Sequence, residues 1–158
     1  MTSTTLSPGS SSSSHLVTMY GGLLNLAEKI PLSIAQLASR VAVAHVFWNS
    51  AQSKLASWPI TQQLFAMEYQ VPILPPDIAA VLATAAEIGG AVLLFLGLFA
   101  RLGALALLGV VAVIQLFVFP GSWGEHLLWA SLLFLILARG AGNISIDYLA
   151  RRYFLADR

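Results

Sequence analysis

The chain has 158 residues, 58% of them hydrophobic and 9% charged, with a formal net charge of +1 and a mean hydropathy of +0.80. Soluble domains carry roughly 25% charged residues, so this composition belongs to one small integral membrane domain. A near-neutral balance with no basic run excludes a nucleic-acid partner, and the absence of cysteine excludes disulfides, thiolate zinc, iron–sulfur clusters and thiol relays.

Residues 1–15 are serine-rich and almost free of apolar side chains, which predicts a disordered tail without the basic start or apolar core of a secretory signal. Over 16–30, Leu16, Tyr20, Leu23, Ala27 and Ile30 recur at spacings of three and four, the pattern of an interfacial helix, with a loosely packed linker as the alternative. A first membrane span is expected over 32–54. It carries Arg40, His45 and Asn49. On a helical wheel Arg40 lines up with Gln36 and Phe47, whereas His45 shares a second stripe with Asn49 and Gln52, roughly 140° away.

The segment 53–76 is aromatic and proline-rich, suited to a membrane surface, with Pro59 in the first turn of a short amphipathic helix. Asp77 is expected to cap the second span, 77–99, in which Glu87 is the one charged side chain before Arg101. Its face of Ala80, Ala83, Thr84, Glu87, Gly90 and Ala91 is small enough for close helix packing, which turns Glu87 inward. A third span, 101–119, carries Gln115. The fourth, 123–139, is short and begins at Trp123, Glu125 and His126. The chain resumes a helix along the surface over 144–153 and ends in a cytoplasmic tail, 150–158.

The fold class is therefore all-α: an integral membrane four-helix bundle over 32–149 with a disordered N-terminal tail and interfacial helices. Lys29, Arg101, Arg139, Arg151, Arg152 and Arg158 fall on one side and Lys54 on the other, so the positive-inside rule places both termini in the cytoplasm. Counting from the cytoplasmic helix ends, Arg40 lies ~12 Å deep, Glu87 ~18 Å, His45 and His126 ~20 Å, and Gln115 ~21 Å. This polar layer is the candidate site. The alternative is a set of interhelical hydrogen bonds with no chemistry attached. A gap of ~6 Å in depth predicts that Arg40 pairs with Glu87. His45 and His126 at one depth also raise haem b ligation, which the offset of roughly 140° on the first span and the interfacial position of His126 disfavour. No ligand spacing for a metal is present.

The intramembrane Arg40, the EIGG at 87–90 followed by LLFLGL at 93–98, and the run LFAMEYQVPILPP at 64–76 resemble the DoxX family of small bacterial membrane proteins. The resemblance implies a four-span fold in the inner membrane and a loose association with quinone-linked redox systems, with Arg40 and Glu87 standing at the family's intramembrane arginine and glutamate. It implies no substrate. Three function classes follow: a subunit of a quinone-linked oxidoreductase whose Arg40, His45, Glu87, Gln115 and His126 serve a quinone; a scaffold binding other subunits or a second copy; and, ranked last for want of an inverted repeat, a transporter.

Overall fold

The computed structural model describes residues 17–22 and 31–155 and contains no strand among them. The chain divides into two compact units, Met1–Pro31 and Leu32–Arg158. The first contributes helix α1 (17–22), inside the stretch expected to be helical. The serine-rich tail and the remainder of 16–30 lie outside the described residues.

The second unit contains α2 (Leu32–Ala56), α3 (Trp58–Leu64), α4 (Pro76–Leu96), α5 (Ala100–Val113), α6 (Trp123–Arg139) and α7 (Ile146–Leu155). Two π-turns extend the helices, Phe65–Tyr69 after α3 and Ile114–Val118 after α5. The expected boundary at 149 falls within α7. Two helices, Pro76–Leu96 and Ala100–Val118, are long and apolar enough to cross a membrane. α2 has the length at 25 residues but is interrupted by Arg40, His45, Asn49 and Lys54, and α6 has 17 residues.

α2 packs against α4 and α6, α4 against α5, and α5 against α6, so each of these four helices has two neighbours in a closed ring. Val43, Phe47, Leu94, Leu107, Leu133 and Ile136 fill its centre. The approach of α4 to α5 depends on Gly90, where a Cβ would lie 2.5 Å from Leu107 Cγ. Ala80, Thr84, Glu87, Gly90 and Ala91 are buried, as the small-residue face predicts. The two stripes of α2 also separate: Gln36, Arg40, Val43 and Phe47 are buried, and His45, Asn49 and Gln52 are exposed.

Asp77 differs from expectation. Pro76 occupies the first helical turn and Pro75 stands at the N-cap, so Asp77 lies one position inside the helix. There its Oδ1 accepts a hydrogen bond from Gln62 Nε2 at 2.9 Å while its charge still faces the positive end of the helix dipole.

Candidate functional site

Arg40 does not meet Glu87. Its guanidinium, 1% exposed, is spent on main-chain oxygens: Nε donates to Leu94 O at 2.7 Å, Nη2 to Phe95 O at 3.0 Å, and Nη1 to Ala141 O at 2.8 Å and Ile144 O at 2.7 Å. Leu94 and Phe95 are in the last turn of α4, where the negative end of the helix dipole favours a cation. Ala141 and Ile144 lie in the turn between α6 and α7, so the guanidinium is held by main-chain oxygens, with no carboxylate among the described residues bonded to it. Beside it, Gln36 Nε2 donates to Arg139 O and Gly140 O, and Asp147 accepts from Phe99 N at 2.8 Å and Ala100 N at 3.1 Å. Arg40 thus ties α2 to the end of α4 and to the segment following α6.

Glu87, 1% exposed, pairs with Lys54, whose Nζ lies 2.8 Å from Oε2 and 2.9 Å from Oε1. Ser50 completes the group. Its hydroxyl donates to Glu87 Oε1 at 3.3 Å and accepts from Lys54 Nζ at 2.8 Å. Ser50 therefore marks the level of Glu87 on α2, and Arg40 lies ten residues away, ~15 Å along the axis. Counting each helix from its own end brought the two falsely close, because the ends of α2 and α4 are not flush. Lys54 is one turn beyond Ser50, a rise of ~6 Å that its four-carbon stem covers.

Gln115 and His126 do come together. Gln115 sits in the second π-turn, and its Nε2 donates to Pro120 O at 2.8 Å, which orients Oε1 toward His126 Nδ1 at 2.6 Å. A carbonyl oxygen only accepts, so His126 donates to it from Nδ1. No hydrogen bond reaches Nε2 among the described residues. The ring also packs against Trp129 at a centroid distance of 5.3 Å.

The Lys54–Ser50–Glu87 group and His126 line one half-open cavity of about 460 Å³ between α2, α4, α5, α6 and the 65–74 segment. Ser50, Lys54 and Glu87 are on its wall with His126 and Glu125, and the surfaces between them are apolar, including Phe47, Phe65, Val113 and Trp129. The two π-turns meet beside it through Tyr69 and Phe119, 6.0 Å between ring centroids. π-turns recur at functional sites because the extra residue re-aims side chains that a regular helix would place elsewhere. Burial, reinforced by Glu68 and Glu87, raises the Tyr69 phenol above its ordinary pKa and keeps it protonated on the cavity wall.

Of the expected site residues, Glu87 and His126 border the cavity and Gln115 supports His126 from behind. Arg40 and His45 do not join them. His45 is on an exposed face beside a separate groove, so the two histidines expected at one depth line different recesses and form no haem-ligating pair. No group of three His, Asp or Glu side chains suited to a metal occurs among the described residues. Sequence reasoning missed Lys54, Ser50 and Tyr69. A signal for Lys54 was present: Arg40, Val43, Phe47, Ser50 and Lys54 follow one another at spacings of three and four, so the buried stripe continues to Lys54.

No curated protein and no solved structure matches the chain. The sequence model of the DoxX family matches residues 35–120, more than half of the 158 residues. That match covers α2 from its first turn through α5 and its π-turn, including the paired Lys54 and Glu87, and the chain belongs to the DoxX family of membrane proteins.

Proposed function

We propose that this DoxX protein is a quinone-linked subunit of the bacterial inner membrane, crossing it four times through α2, α4, α5 and α6 with both termini cytoplasmic. The observation that carries the reading is one apolar cavity whose lining includes both His126, with no hydrogen bond to its Nε2 among the described residues, and the Lys54–Glu87 pair. Its volume, about 460 Å³, is within the usual range for small-ligand sites, and its lining suits a lipid-soluble ring with polar oxygens. A bound quinone supplies two-electron, two-proton redox chemistry at its ring oxygens. His126 Nε2 is placed to accept a hydroxyl proton from the reduced form, and the Gln115 carbonyl stabilises the imidazolium that results. The chain would contribute binding and proton handling, and a partner oxidoreductase subunit would have to take up the electrons.

A second reading, a non-catalytic scaffold for other membrane or periplasmic subunits, draws on a different observation. Every buried polar side-chain atom among the described residues already has a partner within the chain, so the ion pair and the Arg40 cluster suffice to explain themselves as structure. The experiment that separates the two uses protein purified in mild detergent. Solvent extraction and mass spectrometry should recover a co-purifying quinone, and a short-chain benzoquinone should quench tryptophan fluorescence saturably, with the response reduced in Trp129→Phe. His126→Leu should weaken that binding about three- to tenfold, the size of one neutral hydrogen bond. Protein free of quinone that shows only unsaturable quenching overturns the redox reading in favour of the scaffold.

A further inference from the structure

The outer face of α2 and α4 holds a second recess, a groove of about 410 Å³ lined by Val41, Ala44, His45, Trp48, Ala91 and Phe95 with their neighbours. Phe95 and Ala91 belong to a helix long and apolar enough to span a membrane, and Ala91 lies five residues, ~8 Å, from the inner end of that helix. With α2 and α4 spanning as proposed above, the groove faces hydrocarbon. Yet His45 on the groove wall is exposed, as is Asn49 one turn further along α2 at its edge, and the two side chains are joined to each other by a 3.0 Å contact between Nε2 and Nδ2 and to no other group among the described residues.

That contact leaves a complementary remainder. When the Asn49 amide donates to Nε2, the His45 proton is on Nδ1, so His45 retains a donor and Asn49 retains its carbonyl acceptor. With the amide turned over and Nε2 donating, His45 retains an acceptor and Asn49 its two N–H donors. In either arrangement one residue keeps what the other lacks. An acyl chain filling the groove satisfies neither, and an unrelated helix would need a donor and an acceptor at matched spacing. A second copy related by a two-fold axis supplies both at once, His45 of each chain to Asn49 of the other, because an isologous contact repeats every bond in reverse. Ala44 and Ala91, buried between α2 and α4, form a small-residue floor that gives the groove its depth, and the exposed Trp48 provides bulk to fill the recess opposite.

We propose that this groove is a self-association surface, at which two copies of the chain pair in the membrane through reciprocal His45–Asn49 hydrogen bonds. The proposal rests on the membrane placement of α2 and α4 and is independent of any quinone.

Because the chain contains no cysteine, single substitutions report on it without background. Val41→Cys, Trp48→Cys and Phe95→Cys, oxidised in native membranes, should each yield a disulfide-linked species of twice the chain mass, and Leu105→Cys, exposed on α5, should not. In detergent or bicelles the otherwise unmodified protein should be dimeric. Asn49→Leu should weaken the dimer about sevenfold, the effect of losing two intramembrane hydrogen bonds of average strength. Monomer in every condition, or cross-linking to a different protein in place of a second copy, overturns the proposal. Reaction of Val41→Cys with a water-soluble maleimide in intact membranes means instead that the spanning placement has failed. A Val41→Cys protein that is shielded from the maleimide and does not cross-link counts against the dimer alone.

Discussion

Lys54 Nζ and Glu87 Oε2 lie 2.8 Å apart across α2 and α4, with the carboxylate 1% exposed and the lysine side chain 16% exposed. The acid that dominates the most apolar region of the sequence is thus neutralised by a base from the end of the preceding long helix. The pair also forms part of the cavity wall, so its loss affects stability and ligand access together.

Removing one partner leaves the other charge unpaired in a largely dry setting. Glu87→Leu or Lys54→Met should each cost about 3 kcal/mol, with the glutamate variant at the lower end because the Lys54 ammonium it leaves unpaired retains some exposure, whereas Lys54→Met strands the buried carboxylate. The double variant should be more stable than the sum of the single losses implies, by about 1 kcal/mol or more. Reversible unfolding in detergent or bicelles measures the cycle, and strictly additive losses would sink the pairing.

Arg40 and Glu87 should behave as strangers. A cycle of Arg40→Leu and Glu87→Leu is expected to be additive within about 0.5 kcal/mol, since no partner is shared and ~15 Å of helix separates their levels. Arg40→Leu by itself should be among the most damaging single changes, near 3 kcal/mol or above, because four carbonyls lose a hydrogen bond from the guanidinium and, among the described residues, only Leu94 O keeps another, from Gly97 N. Arg40→Lys should recover only part of that loss, as an ammonium cannot reproduce the planar fork.

Glycines separate by environment. Gly97 has φ +64°, and a Cβ there would lie 2.6 Å from Arg40 Nη2, so Gly97→Ala should destabilise by more than about 1 kcal/mol through both backbone strain and displacement of the guanidinium. Gly89 has nothing within 4 Å of its would-be Cβ and lies in the middle of α4. Gly89→Ala should therefore be neutral or stabilising by up to about 1 kcal/mol. Thermal unfolding of the two variants side by side checks the contrast.

The topology in the proposed function is tested by labelling. Gly121→Cys, in the exposed turn between α5 and α6, should react with an impermeant thiol reagent applied to spheroplasts, and Asn143→Cys, exposed at the Arg40 end, should react only after permeabilisation. The opposite pattern would invert the orientation, and labelling of both from outside would remove the crossing.

How much of this was legible in advance depended on whether a feature is local. The small buried face of α4 is encoded by residues three and four apart, and so are the two stripes of α2. They read out correctly because helical periodicity needs no knowledge of neighbours. The same holds for Pro59 opening α3 and for the start of α6 at Trp123. His126 and Gln115 were singled out as polar residues in apolar surroundings, and the structure joins them.

Composition and periodicity determined by themselves that the chain is helical and apolar, and which faces turn inward. The partners of the buried charges were decided only by tertiary structure. Which residue of α2 stands opposite Glu87 depends on the offset between two helix ends, a quantity set by the turns and by packing rather than by either helix's own residues. Arg40 was beyond the reach of residue types altogether, because its partners are main-chain carbonyls. Every residue carries one, and only the fold determines which of them, at the end of α4 and in the turn after α6, converge on the guanidinium.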